Sequence, residues 1–161
     1  MKELAAVAAV TFRRATRTDW DQISELNVIT KRPRRADSLP QEYFVAETSS
    51  GIVGCAALRC RRNAGYLYGL TVHPRWRRLG IGHSLTAQRL ETIQAARLTA
   101  AYVFAMFWNV RFFKSHGFSL IKRAFGSQLR WLHEDFEEEW CRRSALLTST
   151  VDVPKNHRQS K

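Results

Sequence analysis

The chain is short of cysteine, of acidic residues through its middle, and of long apolar runs. Each shortage argues against a class of function. The cysteines number 3 in 161 residues: Cys55, Cys60 and Cys141. An odd count without paired spacing argues against a disulfide framework or a zinc site and favours a reducing compartment. Cys55 and Cys60 are an odd number of residues apart, so on one strand they would face opposite sides. No apolar run approaches the ~20 residues needed to span a bilayer. Leu4–Val10 is barely long enough for a signal core, and Lys2 before it is offset by Glu3, so it reads as a leader into a first strand. The expected location is the cytoplasm. Between Tyr43 and His133 only Glu47 and Glu91 are acidic, against 13 basic residues, while five acids crowd into Glu134–Glu139. The net charge of +12 therefore sits on the body of the chain. Such a field attracts anions: a nucleotide cofactor, an acidic acceptor or nucleic acid. No helix-turn-helix, RNA-recognition or KH signature accompanies it.

What is present suits a packed globule. The hydrophobic fraction is 45% and the aromatic fraction 11%, and 161 residues fit one domain that needs no covalent staples. We read residues 1–147 as that single domain and residues 148–161 as a polar tail. Val10–Arg14, Tyr43–Glu47, Ile52–Leu58, Tyr66–Val72 and Ala100–Phe107 read as strands, with turns at Ser49-Ser50-Gly51 and Asn63-Ala64-Gly65. Thr18 can cap a helix bearing Trp20, Ile23 and Leu26 on its buried side. A second helix runs from about Gly82 to Arg97 with Leu85, Leu90, Ile93 and Ala96 on one face, into which Arg89 intrudes. Asn109 can cap a short helix that Gly117 stops. Phe118–Arg123 and Gln128–Leu132 read as a hairpin, and His133–Leu147 as a last helix with Phe136, Trp140 and Leu147 on one side. Lys31-Arg32-Pro33-Arg34-Arg35 is a basic loop.

The most informative stretch is Leu70-Thr71-Val72-His73-Pro74-Arg75-Trp76-Arg77-Arg78-Leu79-Gly80-Ile81-Gly82. An apolar strand runs into a proline turn, and two arginines and a spaced glycine pair then open a helix. That order of parts builds a phosphate cradle. Glycine lets backbone approach an anion closely, the first-turn N–H groups point at it, and arginines add charge-assisted hydrogen bonds.

The series strand, Arg77-Arg78-Leu79-Gly80-Ile81-Gly82, helix, apolar strand, short helix, Gly-Phe resembles the GNAT superfamily of acetyl-CoA-dependent N-acetyltransferases. Arg77–Gly82 fits the family's Gln/Arg-x-x-Gly-x-Gly/Ala cofactor loop. Phe112-Phe113-Lys114-Ser115-His116-Gly117-Phe118 fits its aromatic pair followed by Gly-Phe. The likeness spans roughly Val10 to Leu132. A dinucleotide-binding fold would place its glycines after the first strand, whereas three or four strands precede the loop here. The resemblance implies an α/β (mixed α+β) fold, with a splayed mixed sheet of six to seven strands flanked by helices. The last helix would be an addition to it. The cofactor's pantetheine arm would enter between Tyr66–Val72 and Ala100–Phe107.

On that resemblance the cosubstrate is acetyl-CoA, no metal is involved, and the acceptor is a primary amine on a small molecule or amino acid. Leu70, Thr71 and Val72 would contact pantetheine and thioester. Arg77, Arg78, Leu79, Gly80, Ile81, Gly82, His83 and Ser84 would hold the pyrophosphate, and Asn109 and Phe113 would also contact the cofactor. Glu47, the carboxylate of the central strands, and Tyr68, which could organise a water, are the candidates for assisting proton removal. Many members carry a tyrosine acid at the second aromatic position. Phe113 replaces it here, as in amino-acid acetyltransferases such as N-acetylglutamate synthases. The basic loop at Lys31–Arg35 suggests an acidic acceptor. The acid patch of the last helix could meet the basic body of a second copy in a homodimer. The alternative reading is a non-catalytic module with this fold that binds CoA, a protein or nucleic acid.

Overall fold

A computed structural model describes residues 9–32, 37–121 and 145–150. By contacts the chain groups into two compact units, one of Met1–Arg59 with Tyr66–Arg89, the other of Cys60–Gly65 with Leu90–Lys161.

The first unit is built on four strands: β1 (Thr11–Arg14), β2 (Tyr43–Thr48), β3 (Gly51–Arg61) and β4 (Ala64–Val72), adjacent in that order. β1 pairs antiparallel with β2, Thr11 opposite Glu47 and Arg14 opposite Phe44. β2 pairs antiparallel with β3, with a register shift between Ala46 and Glu47. Tyr43–Ala46 and Val53–Leu58 are buried without a break, so these strands are covered on both faces and read as continuous apolar runs. Cys55 lies within the buried run and Cys60 is exposed beyond its end. The β3–β4 turn is the pair Arg62-Asn63, with Arg62 at φ 54, one position earlier than the Gly65-containing turn expected from sequence.

Helix α1 (Trp20–Ile29) buries Ile23 and Leu26. A 3-10 turn at Arg17–Asp19 precedes it, and Thr16, not Thr18, starts that turn. The Thr16 amide and hydroxyl both donate to Asp19 Oδ2, at 2.7 and 3.0 Å. Asp19 is therefore spent locally rather than presented to the helix end.

Helix α2 (Ile81–Ala95) presents Ile81, Leu85, Arg89 and Ile93, each fully or almost fully buried. That is a stripe at fours, with an arginine where a leucine would be expected. Ala96, expected on this face, lies beyond the helix end and is exposed. α2 sits down on the sheet at Gly54, where an added Cβ would lie 2.9 Å from Ile81 Cγ2 and 3.3 Å from Leu85 Cδ1.

In the second unit β5 (Ala100–Ala105) alternates half-buried and buried positions. It is followed by a 3-10 turn at Phe107–Asn109, helix α3 (Val110–Lys114) and the short strand β6 (Ser119–Leu120). Asn109 makes no side-chain cap on α3. Gly117, at φ 84, turns the chain after it.

Strand β7 (Ala145–Thr150) pairs antiparallel with β5 from Ala100 opposite Thr150 to Ala105 opposite Ala145, and with β6 on its other side. This corrects the sequence reading. A last helix reaching Leu147 does not hold at residues 145–147, which are strand; its earlier part, residues 133–144, lies outside the described residues, as does the hairpin partner at 128–132. The Leu-Leu-Thr-Ser-Thr run has the branched residues a strand accommodates. Leu147 is fully buried, and the Thr148 hydroxyl is tied to the Ala101 carbonyl at 3.1 Å. The threonines that read as a polar tail therefore belong to the ladder. Among the described residues no helix is long and apolar enough to cross a membrane.

Candidate active site

The cradle begins at the end of β4. The His73 amide donates to the Val53 carbonyl at 2.8 Å, fixing the strand exit against β3. His73 Nδ1 accepts from the Arg75 amide and starts the 3-10 turn Pro74–Trp76. Arg78 and Gly80 then take left-handed conformations, φ 63 and 80, and α2 starts at Ile81. Its first hydrogen bond, Ser84 N–H to the Gly80 carbonyl at 3.0 Å, leaves the amides of Ile81 and Gly82 at the open helix end, where an anion is favoured. A Cβ built on Gly80 would meet no atom within 4 Å. The glycine thus borders open space, and its backbone is accessible to a ligand. Arg77 and Arg78 are exposed beside it, with His83 exposed and Leu79 and Ser84 half-buried.

Two guanidinium groups meet the end of β4. Arg77 Nε donates to the Val72 carbonyl at 3.1 Å, and Arg32 Nη1 approaches the Leu70 carbonyl at 3.5 Å. Asn27 anchors this corner. Its carbonyl accepts the Arg32 amide at 2.9 Å and its Oδ1 accepts the buried Thr71 hydroxyl at 3.3 Å. Desolvation and then the neighbouring Arg77 charge push the Arg32 pKa down, and no carboxylate pairs with either arginine among the described residues. Residues 33–36 of the basic loop lie outside the described residues.

Between these points β4 is kinked. Tyr66, Leu67 and Tyr68 are buried in succession, and Gly69 follows exposed at φ 62, the conformation of a glycine bulge. A Cβ on Gly69 would lie 3.4 Å from Tyr43 Oη. The Gly69 carbonyl is 4.0 Å from Cys55 Sγ. Burial pushes that thiol up to about 12, so it stays protonated.

The hydroxyl of Tyr68 donates to Glu42 Oε2 at 2.7 Å. Glu42 is also held by Arg59, Nε to Oε1 at 2.6 Å and Nη2 to Oε2 at 3.1 Å, and by the Leu39 amide at 2.9 Å. Arg59 reaches Asp37 at 2.9 Å and lies 5.5 Å over the Tyr68 ring. Burial raises the Glu42 pKa, but the hydrogen bonds from Arg59, Leu39 and Tyr68 outweigh it and hold the carboxyl below its ordinary value. Burial, and then the Glu42 carboxylate, push the Tyr68 hydroxyl well above the usual phenol value. Sequence reasoning missed Glu42. The available signal was Leu39-Pro40-Gln41-Glu42, a proline-opened turn whose third residue bonds back to the preceding amide.

Glu47 has different company. Arg13 takes both of its oxygens, Nε at 2.9 Å and Nη2 at 3.1 Å, and also binds Asp19 at 2.7 Å. The Arg13 hydrogen bonds hold the Glu47 pKa below its ordinary value. In the second unit Phe113 is buried, edge-on to Phe112 at 5.1 Å and to Phe118 at 5.7 Å. Asn109 is half-buried.

Comparison with known proteins bears on this geometry. An acetyltransferase (GNAT) domain family matches residues 40–120, half of the chain and all of the stretch from Pro40 through the cradle to β6. A sequence comparison with curated proteins gave no match. Among solved structures, N-acetylglutamate synthase from Neisseria gonorrhoeae, complexed with coenzyme A and N-acetyl-glutamate, is similar at 19% identity and TM-score 0.72, over 89% of this chain and 35% of that one. The chain thus spans about a third of that enzyme's length. A Mycobacterium tuberculosis protein in complex with CoA is similar at 20% identity and TM-score 0.72, over 88% of this chain and 99% of that one. The Escherichia coli ribosomal-protein-S18-alanine N-acetyltransferase is similar at 13% identity and TM-score 0.70, over 92% and 97%. At these identities the structures speak for the fold, and the domain match speaks for the family: the chain belongs to the GNAT acetyltransferases.

Proposed function

We propose that the chain is an acetyl-CoA-dependent N-acetyltransferase that passes the acetyl group to a primary amine by direct attack. The observation that carries this reading is the left-handed Gly80, open on the side a Cβ would fill, at the start of α2. Amides from Leu79 to His83 are assigned to the pyrophosphate, with the Arg77, Arg78, His83 and Ser84 side chains around them. Leu70, Thr71 and Val72 are assigned through their main chain to pantetheine and thioester, and Asn109 and Phe113 to the cofactor.

In the reaction the amine nitrogen bonds to the thioester carbonyl carbon as the C–S bond breaks. The nitrogen loses one proton and the departing thiolate gains one. Negative charge builds on the carbonyl oxygen, and a fixed amide is the economical way to stabilise it. The Leu70 amide suits that role. The Gly69 carbonyl of the same peptide turns toward Cys55 on β3, and in a trans peptide the N–H leaves on the opposite side. Of the two candidates for proton removal, geometry favours Tyr68. Its hydroxyl is oriented by Glu42 and can organise a water, whereas both oxygens of Glu47 are engaged by Arg13. Phe113 has no proton to give, so solvent is assigned the protonation of the thiolate.

The acceptor is proposed to carry an acid group. Arg32, beside the Leu70 carbonyl and without a carboxylate partner among the described residues, is placed to receive it, and the Neisseria neighbour holds an acylated acidic amino acid. The test is release of free CoA thiol across a panel of glutamate, aspartate, neutral amino acids and simple amines. Acid-bearing amines should turn over fastest, and R32A should remove that preference. Acetyl-CoA binding without thiol release on any amine would replace this reading with a CoA-binding module.

A further inference from the structure

Arg89 is out of place for a packing residue. It lies in the middle of the Ile81–Leu85–Arg89–Ile93 stripe of α2, where an apolar side chain would complete the face, and its exposure is 0%. No carboxylate pairs with it among the described residues. Its partners are neutral oxygens: Leu85 O at 3.2 Å, Ala57 O at 3.2 Å, Tyr68 O at 3.3 Å and Thr86 Oγ1 at 3.0 Å. Burying a charge without a counter-charge is costly even when every donor is satisfied. Desolvation brings its pKa down to about 9, which still leaves it charged at neutral pH. A costly cation kept at an apolar position calls for a use beyond packing.

Its use lies in what Nη1 holds. The Tyr68 carbonyl belongs to the peptide that enters Gly69, the left-handed residue of β4. The Ala57 carbonyl lies on the neighbouring strand β3. Arg89 therefore holds the peptide that enters Gly69 and places a full positive charge beside it. A hydrogen bond accepted by a peptide C=O polarises that peptide's N–H, here the Gly69 N–H one residue before the Leu70 amide, and a cation held in a dry interior stabilises negative charge developing near it. We propose that Arg89 is a positioning residue for acyl transfer: it fixes the peptide that enters Gly69, polarises the Gly69 N–H, and so holds the adjoining Leu70 amide in place for the thioester. This rests on the assignment of that thioester to β4.

The test needs no acceptor. Acetyl-CoA labelled with 13C at the thioester carbonyl is bound to wild type, R89M and R89K, each first checked by thermal melt, and the carbonyl stretch of the bound ligand is read by difference infrared spectroscopy. In wild type the stretch should fall below that of free acetyl-CoA. R89M should lose most of that shift while its Kd rises less than about threefold. With any amine that turns over, kcat of R89M should drop on the order of 30-fold with KM for acetyl-CoA little changed. R89K moves the charge away from the Tyr68 carbonyl and should keep about half the shift. A folded R89M with the wild-type stretch overturns the proposal. Should R89M not fold, R89K with the wild-type stretch does so. A wild-type protein that binds no acetyl-CoA would instead defeat the cofactor assignment itself, a different outcome.

Discussion

Gly54 on β3 lies directly beneath Ile81, the first residue of α2, so close that a Cβ would stand 2.9 Å from Ile81 Cγ2. The missing side chain sets the height of the helix over the sheet, and with it the position of the helix end that forms the cradle. Gly54→Val should therefore cost about 1–3 kcal/mol by overpacking. It should also weaken acetyl-CoA binding although residue 54 touches no ligand. Denaturant melts and ligand titration on the same protein check both halves; loss of stability with unchanged affinity would detach the cradle from this contact.

Gly80→Val makes the complementary change. Nothing among the described residues lies within 4 Å of the new Cβ, so the fold should survive at the cost of a left-handed valine's backbone strain, about 1–3 kcal/mol. The side chain would fill the place reserved for the anion. The unliganded melt should fall by several degrees yet stay cooperative, while the acetyl-CoA-dependent rise in Tm disappears.

The Arg13–Asp19–Glu47 cluster gives the first unit an acid sensitivity. Its carboxylates are held below their ordinary pKa values, Asp19 most of all, first through the Arg13 hydrogen bond. A depressed folded-state pKa contributes stability that is present above the unfolded value of about 4 and is lost as pH falls through the folded value. Asp19→Asn should cost about 1–3 kcal/mol at pH 7, since it strips a buried, hydrogen-bonded partner from Arg13. The difference from wild type should shrink as pH drops below 4. Glu47→Gln, at the more exposed end, should cost less than about 1 kcal/mol. Melts from pH 7 to pH 2.5 decide.

Tyr68→Phe keeps the ring stacked on Tyr66 at 5.7 Å and leaves Glu42 bonded to Arg59 and Leu39. Stability should change little. Turnover with an active amine should fall about tenfold, with its pH profile altered, while Glu47→Gln should leave the profile in place. The reverse pattern would move proton transfer to Glu47.

The strand, proline turn and helix start over Leu70–Gly82 were legible in sequence because their requirements are local: an apolar run, a proline, and glycine where φ is positive. Strands β2 to β5 were legible as uninterrupted or alternating apolar runs. The parts that escaped depend on partners distant in sequence. Glu42 gains its meaning from Arg59 and Tyr68, which three separate elements bring together. Arg89 looks like an error in an amphipathic helix until the Tyr68 carbonyl is set beside it. The strand Ala145–Thr150 was misread because Phe136, Trp140 and Leu147 share helical spacing, while its ladder partner Ala100–Ala105 lies more than forty residues earlier. Periodicity reports a face but not which neighbour covers it.

Calorimetric titration of the purified chain with acetyl-CoA tests the central claim most directly. Saturable binding of about one molecule per chain is expected, competed by CoA and abolished in a folded Gly80→Val protein. Absence of binding at millimolar acetyl-CoA, or full binding by the Gly80→Val protein, would contradict it.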